Sequence, residues 1–190
     1  PHAVEAAYLE GICNAKLNRL DKAASAFEAA AVSKTAAAVA PKARLARSLV
    51  EFDRDNLEGT SNELQRFLAD FPADPRVGKV RTALSLLPKD GELPRKSPLT
   101  AGILAAIVPG SGHMYAGHYG DGVTALFLNG LFITGTVVAI RQENYAVAGI
   151  VGVIGLPFYV GNIYGAANAA NKWNLSVRKE LRDRLSLTLD

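Results

Sequence analysis

The sequence predicts an all-α protein: paired amphipathic helices followed by an apolar helical hairpin with a short re-entrant or kinked helix before it. Apolar residues recur at helical spacing through residues 4–85, and two uncharged segments of membrane-spanning length follow residue 120. Charge is also divided unevenly. Fifteen Lys and Arg and 13 Asp and Glu precede Pro98, whereas only 6 and 5 follow it, so we expect two parts of different character.

Composition excludes several classes of function. The net charge is +3, but the basic residues form no patch with interleaved aromatics, so nucleic acid is not an expected partner. Cys13 is the single cysteine, which excludes an intrachain disulfide and a multi-cysteine zinc site. We find no GxSxG, HExxH or Cys–His pattern, so neither an enzyme nor a cofactor is expected.

The first helix pair is predicted within residues 4–31, with a junction near Arg19 and the second helix starting at Asp21. Gly11, Ala23, Phe27 and Ala30 have the spacing expected where two helices cross closely. The small residues allow the approach, and Phe27 fills the space between the helices.

A second pair follows in "PKARLARSLVEFDRDN" and "TSNELQRFLADFPADP". Thr60, Ser61 and Glu63 predict the start of its second helix, and Pro72 predicts its end. The segment "RVGKVRTALSLL" predicts a capping helix, which completes a module over residues 1–85.

These pairs resemble the tetratricopeptide repeat, a helix pair with a small residue on its first helix and an Ala, large apolar, Ala series on its second. The resemblance implies a protein-binding groove, which on the first pair would carry Tyr8, Ile12 and Lys16. The alternative is a plain helical bundle whose surface binds nothing.

Residues 86–97 form a Pro-rich charged linker, and residues 98–171 a predicted membrane domain. We expect a half helix over 98–109 and two spans over 122–140 and 145–165, joined by the four-residue loop "RQEN". The alternative is the core hairpin of a soluble protein. Gly161 and Gly165 form a GxxxG pattern suited to self-association, and Asn129 is a candidate hydrogen-bond partner for Asn162.

The basic residues flanking this domain predict its orientation. Three basic residues precede it (Lys89, Arg95 and Lys96), Lys172 and four further basic residues follow it, and Arg141 alone lies in the loop. A two-span hairpin would therefore hold both ends in the cytoplasm. Residues 172–190 predict a basic amphipathic helix suited to anionic lipid headgroups. The alternative is a helix that binds a partner or a second copy.

The stretch "VPGSGHMYAGHYGDG" interrupts the apolar region. It lacks the Lys of a phosphate-binding loop and the spacing of a dinucleotide fingerprint. His113, His118 and Asp121 are candidate metal ligands with an unspecific spacing, so no metal site is expected. An architectural role is favoured, in which Asp121 caps the next helix. Whether residues 98–120 dip into the membrane or cross it stays open.

Two motifs together resemble a largely uncharacterised bacterial membrane domain that occurs behind tetratricopeptide-like helices, and more distantly the two-span TM2 domain. The first motif is similar to PGxGQxYxG, with His113 in place of glutamine, and the second to NxYG. The matching positions are Pro109, Gly110, Gly112, His113, Tyr115, Gly117, Asp121, Asn162, Tyr164 and Gly165.

The resemblance implies an integral protein of a bacterial membrane, expected to be the inner membrane, with an adaptor or assembly role and no catalytic residue. The alternatives are a small transport or channel subunit that uses Asn129 and Asn162, or a metal-dependent membrane enzyme that uses His113, His118 and Asp121.

Overall fold

A computed structural model describes residues 2–33, 38–88 and 92–190, and within these ranges the protein is helical without a β-strand, so the all-α prediction is confirmed. The helices are α1 His2–Lys16, α2 Leu20–Ala31, α3 Ala40–Asp53, α4 Leu57–Asp70, α5 Val77–Leu86, α6 Pro98–Ile107, α7 Ser111–Tyr115, α8 Tyr119–Arg141 and α9 Tyr145–Leu189. Lys89, counted above among the basic flanks, lies outside the described residues.

The chain divides into two compact units. The helical module comprises Pro1–Leu93 and Arg178–Asp190, and the apolar unit comprises Pro94–Val177. Helices α8 and α9 are long and apolar enough to cross a membrane.

The same turn joins α1 to α2, α3 to α4 and α8 to α9. In each, one residue has a positive φ: Asn18 at 55°, Asp55 at 65° and Glu143 at 60°. The following N–H bonds back to a carbonyl five residues earlier, as in the 3.0 Å bond from Asn56 to Glu51, which closes the end of the first helix. The first two turns lie 37 residues apart, so the module contains two similar helix pairs.

Helices α1 and α2 pack through the residues that the sequence singled out. A Cβ at Gly11 would lie 2.5 Å from the Phe27 ring, so only glycine fits there. Ala23 and Ala30 are fully buried, and the Tyr8 ring centroid lies 5.7 Å from that of Phe27. This packing follows the predicted pattern of small residues around one large apolar side chain.

Helix α4 begins earlier than predicted. Its first residue is Leu57, and the side chain of Asn56 accepts a 2.8 Å hydrogen bond from the Gly59 N–H. Thr60, predicted near the helix start, is buried in the first turn and donates to the Asn56 carbonyl. Asn56 replaces the predicted cap because its carboxamide satisfies an amide that has no partner within the helix. The helix ends at Asp70, before Pro72, as predicted.

The turn between α4 and α5 is held by an ion pair. The Arg76 guanidinium donates to both carboxylate oxygens of Asp74, at 2.9 and 2.8 Å, and the Arg76 N–H also donates to that carboxylate. The hydrogen bonds from the Arg76 side chain hold the pKa of Asp74 below its ordinary value, although burial acts in the opposite direction. The pair therefore fixes the entry into α5.

This pair predicts an acid-dependent contribution to stability. Because the folded-state pKa of Asp74 is depressed, its contribution is complete above the unfolded-state pKa of about 3.8 and is lost as pH falls through the lower folded value. Asp74→Asn should therefore lower the free energy of unfolding near pH 6, with a difference from wild type that shrinks below pH 4. Chemical denaturation at several pH values measures this. Asp183→Asn, at an exposed position, is the control, and a difference that stayed constant with pH would contradict the prediction.

Residues 178–190 differ from the predicted lipid-binding tail. Helix α9 continues without a break past the predicted end at residue 165, and its last twelve residues belong to the helical module. Leu185 and Leu189 are buried in the core that contains Phe52 and Leu64, and Leu181 packs against it.

The basic residues of this segment bind the end of α3. Arg178 donates to the carbonyls of Phe52 and Asp53 at 3.1 and 2.8 Å, and Arg182 donates to both carboxylate oxygens of Asp53 at 2.7 and 3.1 Å. Three leucines and two arginines of the predicted lipid-binding segment are thus engaged within the module, whereas Lys179 and Arg184 are exposed.

Candidate functional site

The two sequence motifs meet where α6 ends. Pro109 has no N–H, so the Ala105 carbonyl cannot receive the usual helical hydrogen bond from residue 109. The Asn162 side chain replaces that bond, with Nδ2 donating to the Ala105 carbonyl at 2.9 Å. Its Oδ1 accepts from the Gly110 N–H at 3.0 Å, so one buried carboxamide satisfies both sides of the break.

The neighbouring carbonyls of α6 are also bonded by side chains. Gly110 donates to Asn162 instead of to Ala106, and the Tyr159 hydroxyl donates to the Ala106 carbonyl in its place. The Ser111 hydroxyl lies 2.7 Å from the Leu104 carbonyl. Such partners are what a helix end requires where water is excluded, because an unpaired carbonyl there is costly.

We define the chain reversal as residues Val108–His118, between α6 and α8. Gly110 has a φ of +89°, and a Cβ there would lie 2.0 Å from the Gly122 carbonyl oxygen. A Cβ at Gly112 would lie 2.0 Å from the Ala101 carbonyl oxygen. These glycines let the reversal lie directly against its neighbouring helices.

Gly112→Ala should therefore destabilise the apolar unit by about 1–3 kcal/mol, since the added methyl group overpacks against backbone. The matched control is Gly161→Ala, because a Cβ at Gly161 meets no described atom within 4 Å. Reversible unfolding in mixed micelles, followed by circular dichroism, measures both. Equal effects of the two substitutions would contradict the assignment.

The two residues just before α6 lie beside the end of α7 and beside α9. The Ser97 N–H, just before α6, donates to the Tyr115 hydroxyl at 3.1 Å. The Lys96 ammonium lies 4.4 Å from the Trp173 ring centroid, and Asn174 bonds to both the N–H and the carbonyl of Lys96 at 2.8 and 2.9 Å. The segment that begins at Pro98 therefore turns back on itself between α6 and α8.

The remaining motif residues have different surroundings. Gly165 packs against the His113 ring, because a Cβ placed at Gly165 would lie 2.9 Å from His113 Nε2. This glycine of the GxxxG pattern is therefore already in contact with a residue of the same chain. Tyr164 is 73% exposed. Gly117 has a φ of +89°, and a Cβ there would lie 3.6 Å from the Lys96 ammonium.

The three candidate metal ligands do not converge. His118 Nδ1 lies 3.2 Å from a carboxylate oxygen of Asp121 at a partly exposed position, whereas His113 is buried and its Nδ1 has no hydrogen-bond partner. In the part of the chain that the structure describes, no group of three His, Cys, Asp or Glu is suited to a metal ion. Asp121 lies within the first turn of α8 and interacts with His118, not with the helix amides as predicted.

The proposed hydrogen bond between Asn129 and Asn162 is wrong. Asn129 donates to the Ala125 carbonyl of its own helix at 2.8 Å, while Asn162 bonds to Ala105 and Gly110. The sequence shows that both amides are polar within apolar segments, but it does not show that a broken helix lies beside one of them.

No family model, curated protein or solved structure matches this chain. The tetratricopeptide and membrane-domain resemblances therefore stay predictions that rest on the residues quoted above.

The residues predicted to line a groove in the helical module are only partly accessible. Tyr8 and Ile12 pack against the core between α1 and α2, whereas Lys16 is exposed. A polar pocket of about 400 Å³ lies instead between α2 and α3. Its lining residues are Asp21, Ala24, Ser25, Glu28, Arg47 and Arg54.

A buried ion network, which the sequence analysis missed, lies beside this pocket. Arg44 is only 4% exposed and lies 2.9 Å from Glu28, 3.0 Å from Glu63 and 3.4 Å from Asp70, and Arg47 also contacts Glu28. The spacing of Pro41, Arg44 and Ser48 indicates one helix face, and their common burial makes it the inward face. The sequence alone did not indicate this burial, because a Pro, Arg and Ser series is not an apolar stripe.

Proposed function

We propose that this chain is an integral protein of a bacterial membrane, the inner membrane by its resemblance, whose helical module binds another protein as an adaptor or assembly factor. The observation that carries the membrane part is the outward position of the large apolar side chains on α8 and α9. Phe127 is 71% exposed, Leu131 61% and Val153 73%. The core helix of a soluble protein would bury such residues.

The bonding of the broken helix also supports this proposal. Each backbone group released by Pro109 and Gly110 has a side-chain partner from α9. This bonding supports a re-entrant half helix: α6 is about 15 Å long at about 1.5 Å per residue, half of a bilayer core, and the chain turns back after it.

Membrane association and topology can be tested with the native Cys13, which is exposed in the helical module. The protein should stay in the membrane pellet after an alkaline carbonate wash. In intact spheroplasts, a membrane-impermeant maleimide should modify Gln142→Cys in a Cys13→Ser background, while Cys13 itself reacts only after lysis. Release by carbonate would contradict membrane integration, and labelling of Cys13 before lysis would contradict the cytoplasmic orientation.

Protein binding by the module is tested by capture of the intact protein from detergent-solubilised membranes. A specific partner should be depleted by Lys16→Glu on α1 or by Asp21→Lys in the polar pocket, because each reverses a charge at an exposed position. Lys79→Glu, on the exposed face of α5, is the control. Capture that is insensitive to both test variants would argue against these surfaces.

A further inference from the structure

Lys96 is held in one position at the edge of the apolar unit. Its N–H donates to Asn174 Oδ1 at 2.8 Å, and its carbonyl accepts from Asn174 Nδ2 at 2.9 Å. The next residue, Ser97, donates its N–H to the Tyr115 hydroxyl at 3.1 Å. Three hydrogen bonds to side chains that are distant in sequence therefore fix the backbone that carries the Lys96 side chain.

The Lys96 ammonium lies over two aromatic rings. Its Nζ is 4.4 Å from the Trp173 ring centroid and 5.9 Å from that of Tyr115. A ring face attracts a cation through its quadrupole, but it carries no counter-charge and is a weak hydrogen-bond acceptor. In the part of the chain that the structure describes, no carboxylate or other oxygen accepts from this ammonium. Its N–H donors are therefore available to a ligand.

The apolar unit does not supply a counter-charge for Lys96. Between residues 94 and 177 the sequence contains two carboxylates, Asp121 and Glu143. Asp121 lies 3.2 Å from His118 Nδ1, and Glu143 lies in the turn between α8 and α9. A second lysine, Lys172, is exposed and precedes the Trp173 ring in the chain. The surroundings of the ammonium are therefore positive, and an anion is the complementary ligand.

The ammonium is open to such a ligand. Lys96 is half-buried, and Gly117 beside it is exposed and has no side chain. A Cβ placed at Gly117 would lie 3.6 Å from the Lys96 ammonium and 3.9 Å from the Trp173 ring. Gly117 has a φ of +89°, which residues with a side chain rarely adopt, so this side of the ammonium stays uncovered.

These features favour the phosphate of a lipid headgroup. A freely moving lysine is sufficient for a general attraction to an anionic surface, so a fixed one indicates a discrete ligand position. An ammonium is a compact charge whose N–H groups suit phosphate oxygens. The apolar half helix begins at Pro98, two residues after Lys96, which places the ammonium near headgroup depth, where Trp and Tyr are typical.

We infer that Lys96, Trp173 and Asn174 form a binding site for the phosphate of an anionic phospholipid. The inference rests on the proposed membrane location. Inorganic phosphate offers the same oxygens, but a lipid also brings acyl chains that lie beside the apolar helices. A choline headgroup is disfavoured because Lys96 already covers the Trp173 ring that would attract a quaternary ammonium. Of the predicted lipid-binding tail, the site uses Trp173 and Asn174 but not the arginines that bind α3.

The test uses Trp173, the single tryptophan of the chain, whose fluorescence reports on the site alone. The intact protein is reconstituted in vesicles of equal parts phosphatidylglycerol and phosphatidylcholine. One or the other lipid carries bromine atoms near the start of its acyl chains, and bromine quenches tryptophan emission on contact. Quenching by brominated phosphatidylglycerol should exceed quenching by brominated phosphatidylcholine severalfold.

Lys96→Met should remove this preference, because methionine keeps an unbranched side chain but has no charge. Lys172→Met is the matched control, since Lys172 is an exposed lysine one residue from Trp173, and it should retain most of the preference. Asn174→Leu should weaken the preference although the charge of Lys96 remains, because both bonds to the Lys96 backbone are lost. Lys96→Gln provides a second neutral variant if Lys96→Met does not fold.

Equal quenching by the two brominated lipids, or a preference that the neutral variants of Lys96 retain, would overturn the site. Loss of the preference in Lys172→Met to the same extent as in Lys96→Met would also overturn it, in favour of a general surface attraction. If inorganic phosphate in the buffer abolished the preference, the ligand would be free phosphate and not a lipid. Quenching by neither lipid would instead refute the membrane location on which the inference rests.

Discussion

Asn162→Leu should destabilise the apolar unit by about 2–5 kcal/mol. Leucine has the same branching at Cγ but cannot bond to the Ala105 carbonyl or the Gly110 N–H, and each buried backbone group left unpaired costs about 1–3 kcal/mol. No local rearrangement replaces the lost donor, because Pro109 has no N–H. Reversible unfolding in mixed micelles, followed by circular dichroism, measures the loss.

Asn168→Leu is the matched control, since Asn168 lies on the same helix at an exposed position. Its substitution should leave stability within about 0.5 kcal/mol of wild type. If Asn162→Leu were equally harmless, the carboxamide would not be what holds the broken helix end.

Arg44→Leu is expected to have the second large effect, a loss of about 3–5 kcal/mol from the helical module. The substitution removes the cation that lies within 3.4 Å of Glu28, Glu63 and Asp70, and so leaves the buried Glu63 without its principal partner. Hydrogen exchange of the α3 and α4 amides measures the stability of the helical module independently of the apolar unit.

Arg66→Leu provides the comparison because Arg66 also contacts Glu63, at 3.2 Å, but its side chain is 58% exposed. An exposed pair of this kind contributes about 0–1 kcal/mol. A double Arg44→Leu, Glu63→Leu variant should recover part of the loss, since both buried charges are then absent. Similar protection in the Arg44→Leu and Arg66→Leu variants would contradict a central role for Arg44.

Much of the secondary structure could be predicted because helical periodicity and proline act locally. The contact of Gly11 with Phe27 also follows from spacing, since a small residue opposite a large one is a local pattern on paired helices. The partners of Asn162 could not be predicted in the same way, because they lie 52 and 57 residues away and arise from backbone groups, which every residue has.

The C-terminal part of α9 shows the same limit. Leu181, Leu185 and Leu189 are spaced four residues apart, which indicates an apolar helix face. Such a face is equally suited to lipid, a partner or the protein's own core. In the structure Leu185 and Leu189 lie in the module core, and Asp53 and the carbonyls at the end of α3 are the partners of Arg178 and Arg182.

The position of Leu185 and Leu189 in the module core also orders events during synthesis. Both residues follow α6, α8 and the apolar part of α9 in the chain, so the ribosome produces every segment of the apolar unit before the module can complete its core. Domains at the N-terminus usually fold first. Here the core that contains Phe52 and Leu64 is completed only by the last segment to be made, after the whole apolar unit has been synthesised.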